Sequence, residues 1–323
     1  MEQFASRRRQ LQDIIDRNND RHAVKPKSVG SKTRHERAIF LHSFFEELWS
    51  NEQCCYKVLP DGLRNTHIQF MLDRYAARGL SPGTLQNYLS YLRTFARWIG
   101  KKGMVPKSTA CVRDPALVKR KLAASVDRSW SAQGVDGEEL ISRIVAADQF
   151  VGAQLAMCLA FGLRVKEAIS FRPFQDVNDE TQQLTLVRGT KGGRPRSNAI
   201  DSARKRDAIA LARRVAAGDS GHLGRPDFNL HQNQNRFYTV LRKFGVTRKA
   251  RGITAHGLRH QWANDQYEKL ANVPSPVRSG PFFNRNADRN VRLEIARHLG
   301  HSREGIVTNY CGRILKANSE VQR

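Results

Sequence analysis

LGHSREGIVTNY, residues 299–310, joins a helix stop, a histidine at the break and a tyrosine nine positions after that histidine. Val291, Ile295 and Leu299 recur at helical spacing and predict a short helix closed by Gly300. Ser302 is placed to cap a second helix running toward Tyr310, which leaves His301 in the junction. Taken alone, such a tyrosine is a packing residue. Its reading changes with three earlier segments, FGLRVKE (161–167), RGTKGGRPR (188–196) and TAHGLRH (254–260). They contribute Arg164, Lys191, His256 and Arg259. With His301 these make two arginines, a lysine and two histidines, a set suited to a dianionic phosphorane, and a tyrosine hydroxyl can attack phosphorus without a metal.

The local contexts support that grouping. Val151, Leu155, Cys158 and Leu159 predict a buried helix ending at Gly162, with a new helix beginning near Arg164. An arginine at that turn is costly to desolvate unless it meets an anion or a carboxylate. Glu167, one turn on, can orient it; by themselves the two read as a structural pair. Lys191 lies among Gly189, Gly192 and Gly193, which let the backbone approach a phosphate closely. Arg194 and Arg196 beside it read as non-catalytic DNA contacts. Thr254 is placed as a helix N-cap, so His256 and Arg259 share one face while Leu258 and Trp262 turn inward. The helix dipole at its first turn favours a neutral His256. His256 and His260 have the spacing of a zinc helix, but Gly257 stands where the zinc-protease pattern has glutamate.

The chain carries 55 Lys and Arg against 30 Asp and Glu, a net charge of +25, which favours a polyanionic partner. No apolar run approaches the ~20 residues of a membrane-spanning helix. The start, MEQFASRRRQLQDIID, lacks the apolar core of a signal peptide. DNA is therefore expected over a membrane, and the cytoplasm as compartment. Cys54, Cys55, Cys111, Cys158 and Cys311 form no CxxC pair, so reduced thiols with no zinc site and no cofactor are expected.

At 323 residues the chain is expected to hold two domains. Residues 1–30 read as a basic arm and 31–105 as a helical DNA-binding domain. The clearest element of that domain is the helix from Pro82 to Ile99, with Ser81 as N-cap and Leu85, Tyr88, Leu89, Leu92, Phe95, Ala96 and Ile99 recurring at helical spacing. Arg93, Arg97 and Lys101 form a basic stripe, either a solvated face or a set of phosphate contacts. Residues 106–130 read as a basic linker. Residues 131–323 read as a second helical domain, interrupted by a β-hairpin from LTLV (184–187) and SNAI (197–200).

The ordered motifs resemble those of the tyrosine recombinases of the phage-integrase superfamily. FGLRVKE resembles the first-arginine box, HGLRH the H-x-x-R box, and LGHS with Tyr310 the last box, while GTKGGRPR occupies the place of the hairpin lysine. SPGTLQNYLSYLRTFARWI resembles the family's helical core-binding domain, and the resemblance spans residues 33–312. It implies a mainly α, two-domain DNA clamp: a SAM-like core-binding domain plus a mixed α/β, mostly helical catalytic domain. It implies that Tyr310 forms a 3′-phosphotyrosyl link, that Arg164 and Arg259 stabilise the non-bridging oxygens, and that Lys191 protonates the leaving 5′-oxygen. His256 would assist as base or hydrogen-bond partner, and His301 would hold a phosphate oxygen. Neither ATP nor metal is needed. The implied partners are double-stranded DNA recombination sites, paired by a homotetramer, with DNA-bending or directionality proteins as accessories. Integration or excision of a bacterial, phage or other mobile element is the expected setting.

Two features depart from the family pattern. The interval from Arg259 to His301 is long, with an insertion VPSPVRSGPFFNRNADRN (273–290) whose composition suggests a loop contacting DNA or another subunit. Thirteen residues follow Tyr310, so a tail donated to a neighbour would be short. A type IB topoisomerase-like enzyme and a non-catalytic DNA-binding accessory protein are the competing readings.

Overall fold

The computed structural model describes residues 2–22, 24, 26, 28–51, 55, 57–216, 218, 221–280 and 284–313. The chain divides into two units, Met1–Lys121 and Leu122–Arg323.

The first unit is built on four helices: α1 (Glu2–Asn18), α2 (Ser31–Trp49), α3 (Asn65–Ala77) and α4 (Pro82–Trp98). In α4, Pro82 stands at the start, the Ser81 hydroxyl accepts from the Thr84 amide at 3.2 Å, and Leu85, Leu89, Leu92, Phe95 and Ala96 of the expected apolar set are buried, with Tyr88 and Ile99 half-buried. That face meets an aromatic cluster from α2, in which Phe45 packs edge-on to Phe95 at 5.2 Å and Phe40 stacks on Tyr88 at 4.2 Å.

Three expectations for this unit are corrected. Residues 1–30 are not simply an arm, because Leu11 and Ile15 of α1 enter the core. Arg37 of α2 fastens the end of α1 by donating Nε to Asn19 Oδ1 at 2.7 Å and Nη2 to the Asn19 carbonyl at 2.8 Å. The first half of the expected linker is folded. Cys111 and Val118 are buried, Gln86 donates to the Val118 carbonyl, and Arg120 donates to the Gly83 carbonyl and Asn87 Oδ1 at 2.9 Å each. The basic stripe is broken as well. Arg93 donates to the Pro106 carbonyl at 2.9 Å and Ser108 Oγ at 2.8 Å, and Lys101 to the carbonyls of Asp61 and Leu63 at 2.6 and 2.9 Å. Loop carbonyls need donors, and these side chains supply them. Arg97 remains exposed.

The second unit is organised around α6 (Gln149–Phe161), which follows α5 (Gly137–Ala147). Every residue of α6 from Val151 to Phe161 except Ala156 is buried, as a helix apolar on all sides requires. It packs against α5, α8 (Ala203–Val215) and α11 (Ala255–Ala271). Between α6 and α8 lie α7 (Val165–Ser170) and a three-stranded antiparallel sheet. The sheet pairs β1 (Val177–Asn178) with β2 (Gln183–Leu186), and β2 with β3 (Arg196–Ala199) in a register that sets Thr185 opposite Ser197. β2 and β3 are the expected hairpin; β1 is an additional two-residue strand. The remaining helices are α9 (Leu230–Lys243), α10 (Arg248–Arg251), α12 (Arg285–His298) and α13 (Thr308–Cys311).

The second half of the expected linker also belongs to a fold. Trp130 is 1% exposed, and its indole donates to the Thr254 carbonyl at 2.7 Å. Cys55, Cys111, Cys158 and Cys311 are buried; Cys54 and residues 314–323 lie outside the described residues.

Candidate active site

Gly162 caps α6 in the left-handed conformation, at φ +62°. A Cβ there would come within 2.9 Å of Trp262, so the turn needs glycine for backbone shape and for close approach. The tight turn aims the Gly162 carbonyl at Arg259, whose Nη1 donates to it. Arg164 follows as the N-cap of α7. Its backbone N–H donates to Glu167 Oε2 at 2.8 Å and its Nη1 to Glu167 Oε1 at 2.6 Å.

Glu167 is fully buried and serves more than Arg164. Arg196 Nη2 lies 2.6 Å from Oε2, and Arg259 Nη1 lies 3.9 Å from it. Burial alone would raise this carboxyl; Arg196, the Arg164 amide, Arg164 and Arg259 outweigh it and hold Glu167 below the usual carboxylate range. Three guanidinium charges thus face one carboxylate, leaving two in excess. The carbonyls of Gly162, Leu299 and His298 accept from Arg259 and Arg196, and the charge that remains in this buried floor suits an anion.

Arg259, 0% exposed, lies on α11. Its Nε donates to Tyr310 Oη at 3.2 Å, and its Nη2 to the Leu299 carbonyl at 2.7 Å. Arg164 Nη2 approaches the same carbonyl at 3.5 Å and His301 Nε2 at 3.2 Å. The two arginines therefore converge on the junction between α12 and the tyrosine segment. Tyr310 is nearly buried, on the short α13. Its ring lies 5.9 Å from that of His256 and 5.0 Å from that of His260.

His256 keeps an open edge to solvent, whereas His260 is buried with Nδ1 unpartnered and a hydrogen bond to the Tyr310 main chain. Desolvation lowers His256 to about 4, helped by Arg259, Arg164 and Arg128. His301 is lowered to about 4 by desolvation and then by Arg259, Arg164, Arg196 and Lys191. Both imidazoles are neutral at pH 7 and can accept a proton or a hydrogen bond.

Five of the six expected catalytic residues are thus brought together: Arg164, His256, Arg259, His301 and Tyr310. Lys191 stands apart on the exposed β2–β3 turn, where its charge still reaches His301. Arg194, also exposed, ties that turn to the segment after His301 through a 3.1 Å bond to Ser302 Oγ.

Several expectations are corrected here. Arg196 is no surface DNA contact: it is 5% exposed, held by Glu167 and the His298 carbonyl. Strand alternation was the available signal, since Arg196, Asn198 and Ile200 share one parity and are all buried. Thr254 precedes α11 as expected, but without a side-chain cap bond. Ser302 caps no helix; a 3-10 turn, Glu304–Ile306, leads to α13. His260, which the sequence suggests only as half of a zinc-helix spacing, stands one helical turn beyond His256 with its ring 5.0 Å from that of Tyr310. The 273–290 insertion is not one open loop, since it includes the turn Pro276–Arg278 and the start of α12; its residues 281–283 lie outside the described residues.

The profile of a family described as Integrase matches residues 128–265, and that of Phage integrase, N-terminal, matches residues 18–105. The chain belongs to the phage-integrase family of tyrosine recombinases. It is a site-specific DNA recombinase. The catalytic match stops at residue 265, short of His301 and Tyr310, so those two join the site through the fold. No curated protein matches the sequence. Among solved structures, the Tn1549 transposon integrase in complex with circular intermediate DNA superposes with a TM-score of 0.56 at 14% identity, covering 97% of this chain and 99% of that one. A lambda integrase tetramer bound to a Holliday junction gives 0.59 at 14% identity, covering 95% of this recombinase and 79% of that chain. A lambda integrase dimer on a COC′ core site gives 0.58 at 14% identity, covering 96% and 99%. At these identities the likeness is one of fold.

Proposed function

We propose that this recombinase cuts DNA with Tyr310 as nucleophile. The phenol oxygen attacks the scissile phosphorus, a phosphotyrosyl bond forms to the 3′ side, and the bond to the 5′-oxygen breaks. Because the phosphoester is kept in the adduct, a 5′-hydroxyl from another strand can reverse the step without ATP. Arg164 and Arg259 receive the non-bridging oxygens, where guanidinium forks fit phosphate geometry. His301 holds one of these oxygens, neutral His256 takes or shares the phenol proton, and Lys191 gives a proton to the leaving oxygen. The observation that carries this reading is the 3.2 Å contact between Arg259 Nε and Tyr310 Oη, which sets the nucleophile beside the floor of excess positive charge.

The test is a nicked suicide substrate in EDTA. A covalent adduct is expected with the parent protein and none with Tyr310→Phe, whose DNA binding stays near normal. An adduct in the Phe variant, or one that requires a divalent metal, overturns the assignment.

On the same reading the working assembly is a homotetramer on paired sites, serving integration or excision of a mobile element in the cytoplasm, with DNA-bending or directionality proteins as accessories. The lambda integrase tetramer and the transposon integrase support that setting by likeness of fold.

A further inference from the structure

The turn at the start of the insertion meets the segment that carries the nucleophile. Ser275 is fully buried and its hydroxyl donates to Asn264 Oδ1 at 2.7 Å. Arg278 donates Nε to Asp127 Oδ2 and Nη1 to Asp265 Oδ1, each at 2.9 Å, with Glu268 at 3.5 Å. Its Nη2 donates to Ser129 Oγ at 3.3 Å, and Asn264 Nδ2 closes the ring to Asp127 Oδ1 at 3.2 Å. The turn is thereby stitched to α11, the helix of His256 and Arg259, and to the strand of chain before Trp130. Three carboxylates already surround Arg278, which leaves little of its charge for a phosphate.

Gly312, at φ +76°, lies directly beyond α13, and a Cβ there would come within 2.9 Å of the Val277 amide nitrogen. On its other side Arg292, paired with Asp288 at 2.8 Å, donates to the Gly312 carbonyl at 3.1 Å. At the head of α13 the Ala124 amide donates to the Thr308 carbonyl at 2.8 Å. A four-residue helix cannot hold its own shape, so these grips at both ends define where Tyr310 points.

We propose that the 273–280 turn is a brace that fixes Tyr310 for attack, with Arg278 as its positioning residue. The inference rests on Tyr310 being the nucleophile. A loosened nucleophile loses attack geometry, and a misplacement of about 1 Å costs about 10²-fold in rate.

The experiment compares the two directions of the reaction in the full-length protein. Cleavage of a nicked suicide substrate is timed, then resealing of the accumulated adduct after a 5′-hydroxyl strand is added. Arg278→Ala is expected to slow cleavage by about 10²-fold while resealing stays near the parent rate, because the covalent bond already holds the phenol. DNA affinity should not change. Arg278→Lys keeps one ion pair and should recover part of the cleavage rate. If Arg278→Ala does not fold, Arg278→Lys and Ser275→Ala report the same ratio, with smaller losses confined to cleavage. Forward and reverse rates falling together, or neither falling, overturns the brace. Tyr310→Phe runs beside them: an adduct in that variant overturns the nucleophile and the brace with it, whereas an inert Phe variant leaves any failure of the ratio to the brace alone.

Discussion

Arg196 Nη2 and Glu167 Oε2 sit 2.6 Å apart with both side chains almost wholly out of water. The pair lies under the arginines of the site, so Arg196 acts on the fold of the floor and not on DNA directly. Removing Glu167 leaves buried guanidinium charge uncompensated; Glu167→Ala is expected to destabilise the protein by about 3–5 kcal/mol. Arg196→Met should lower the melting temperature while leaving the salt slope of DNA binding unchanged. Thermal melts and a salt titration check both, and a flattened slope in Arg196→Met would return that residue to the DNA surface.

On the proposed mechanism Lys191 is the general acid. Lys191→Ala should slow cleavage by ~10²–10⁴-fold with a small effect on affinity. A substrate with a 5′-bridging phosphorothiolate, whose thiolate leaves unprotonated, should restore the rate. Arg164→Ala should not be rescued, since its place is on the non-bridging oxygens. Rescue of Arg194→Ala in place of Lys191→Ala would move the assignment along the turn.

Protonation should follow DNA binding. His301 is depressed from 6.5 to about 4 in the free protein. The unfolded chain therefore binds more protons than the folded one between these values; this histidine's contribution to stability is complete above about pH 6.5 and is lost as pH falls toward 4. A phosphate beside the ring favours the imidazolium, so DNA binding should take up protons and tighten as pH falls within that window. Calorimetry in buffers of different ionisation enthalpy measures the uptake. His301→Gln should reduce it, and equal uptake in that variant would place the proton elsewhere.

Salt dependence separates the members of the basic stripe. Arg97 is exposed, so Arg97→Ala should reduce the log–log salt slope by about 0.9 if it neutralises one phosphate. Arg93→Ala and Lys101→Ala remove bonds to main-chain carbonyls and should lower the melting temperature of the first unit instead. The comparison is a binding titration over salt beside a thermal melt for each variant.

How much was legible in the sequence depended on whether the signal was local. The α4 helix could be read because its cap, its first-turn proline and its apolar face all lie within one segment. The grouping of Arg164, His256, Arg259, His301 and Tyr310 could be expected from the order of their motifs, whereas Lys191 lies apart on the exposed β2–β3 turn. The tethering of Arg93 and Lys101 could not, because it depends on where the carbonyls of residues 106, 61 and 63 come to rest in the fold. The β1 strand is too short to carry a pattern. The brace was hidden for another reason: Arg278 meets Asp127 across a sequence gap that no periodicity spans, and its proline- and glycine-rich surroundings resemble any open loop. Arg196 was the avoidable miss, since it alternates in step with Ile200.

The Leu299 carbonyl has a bearing on how this protein can decay or diversify. It draws in Arg259 at 2.7 Å and Arg164 at 3.5 Å, yet it is a main-chain atom. A codon change at position 299 cannot remove the oxygen itself and displaces it only by disturbing the packing of the fully buried Leu299 side chain. Copies of the gene drifting toward inactivity lose this anchor by losing an arginine or by shifting the end of α12, which Leu299 caps. Libraries aimed at new DNA targets should accordingly hold position 299 to an apolar residue of similar volume, so that the two arginines keep their common point of reference.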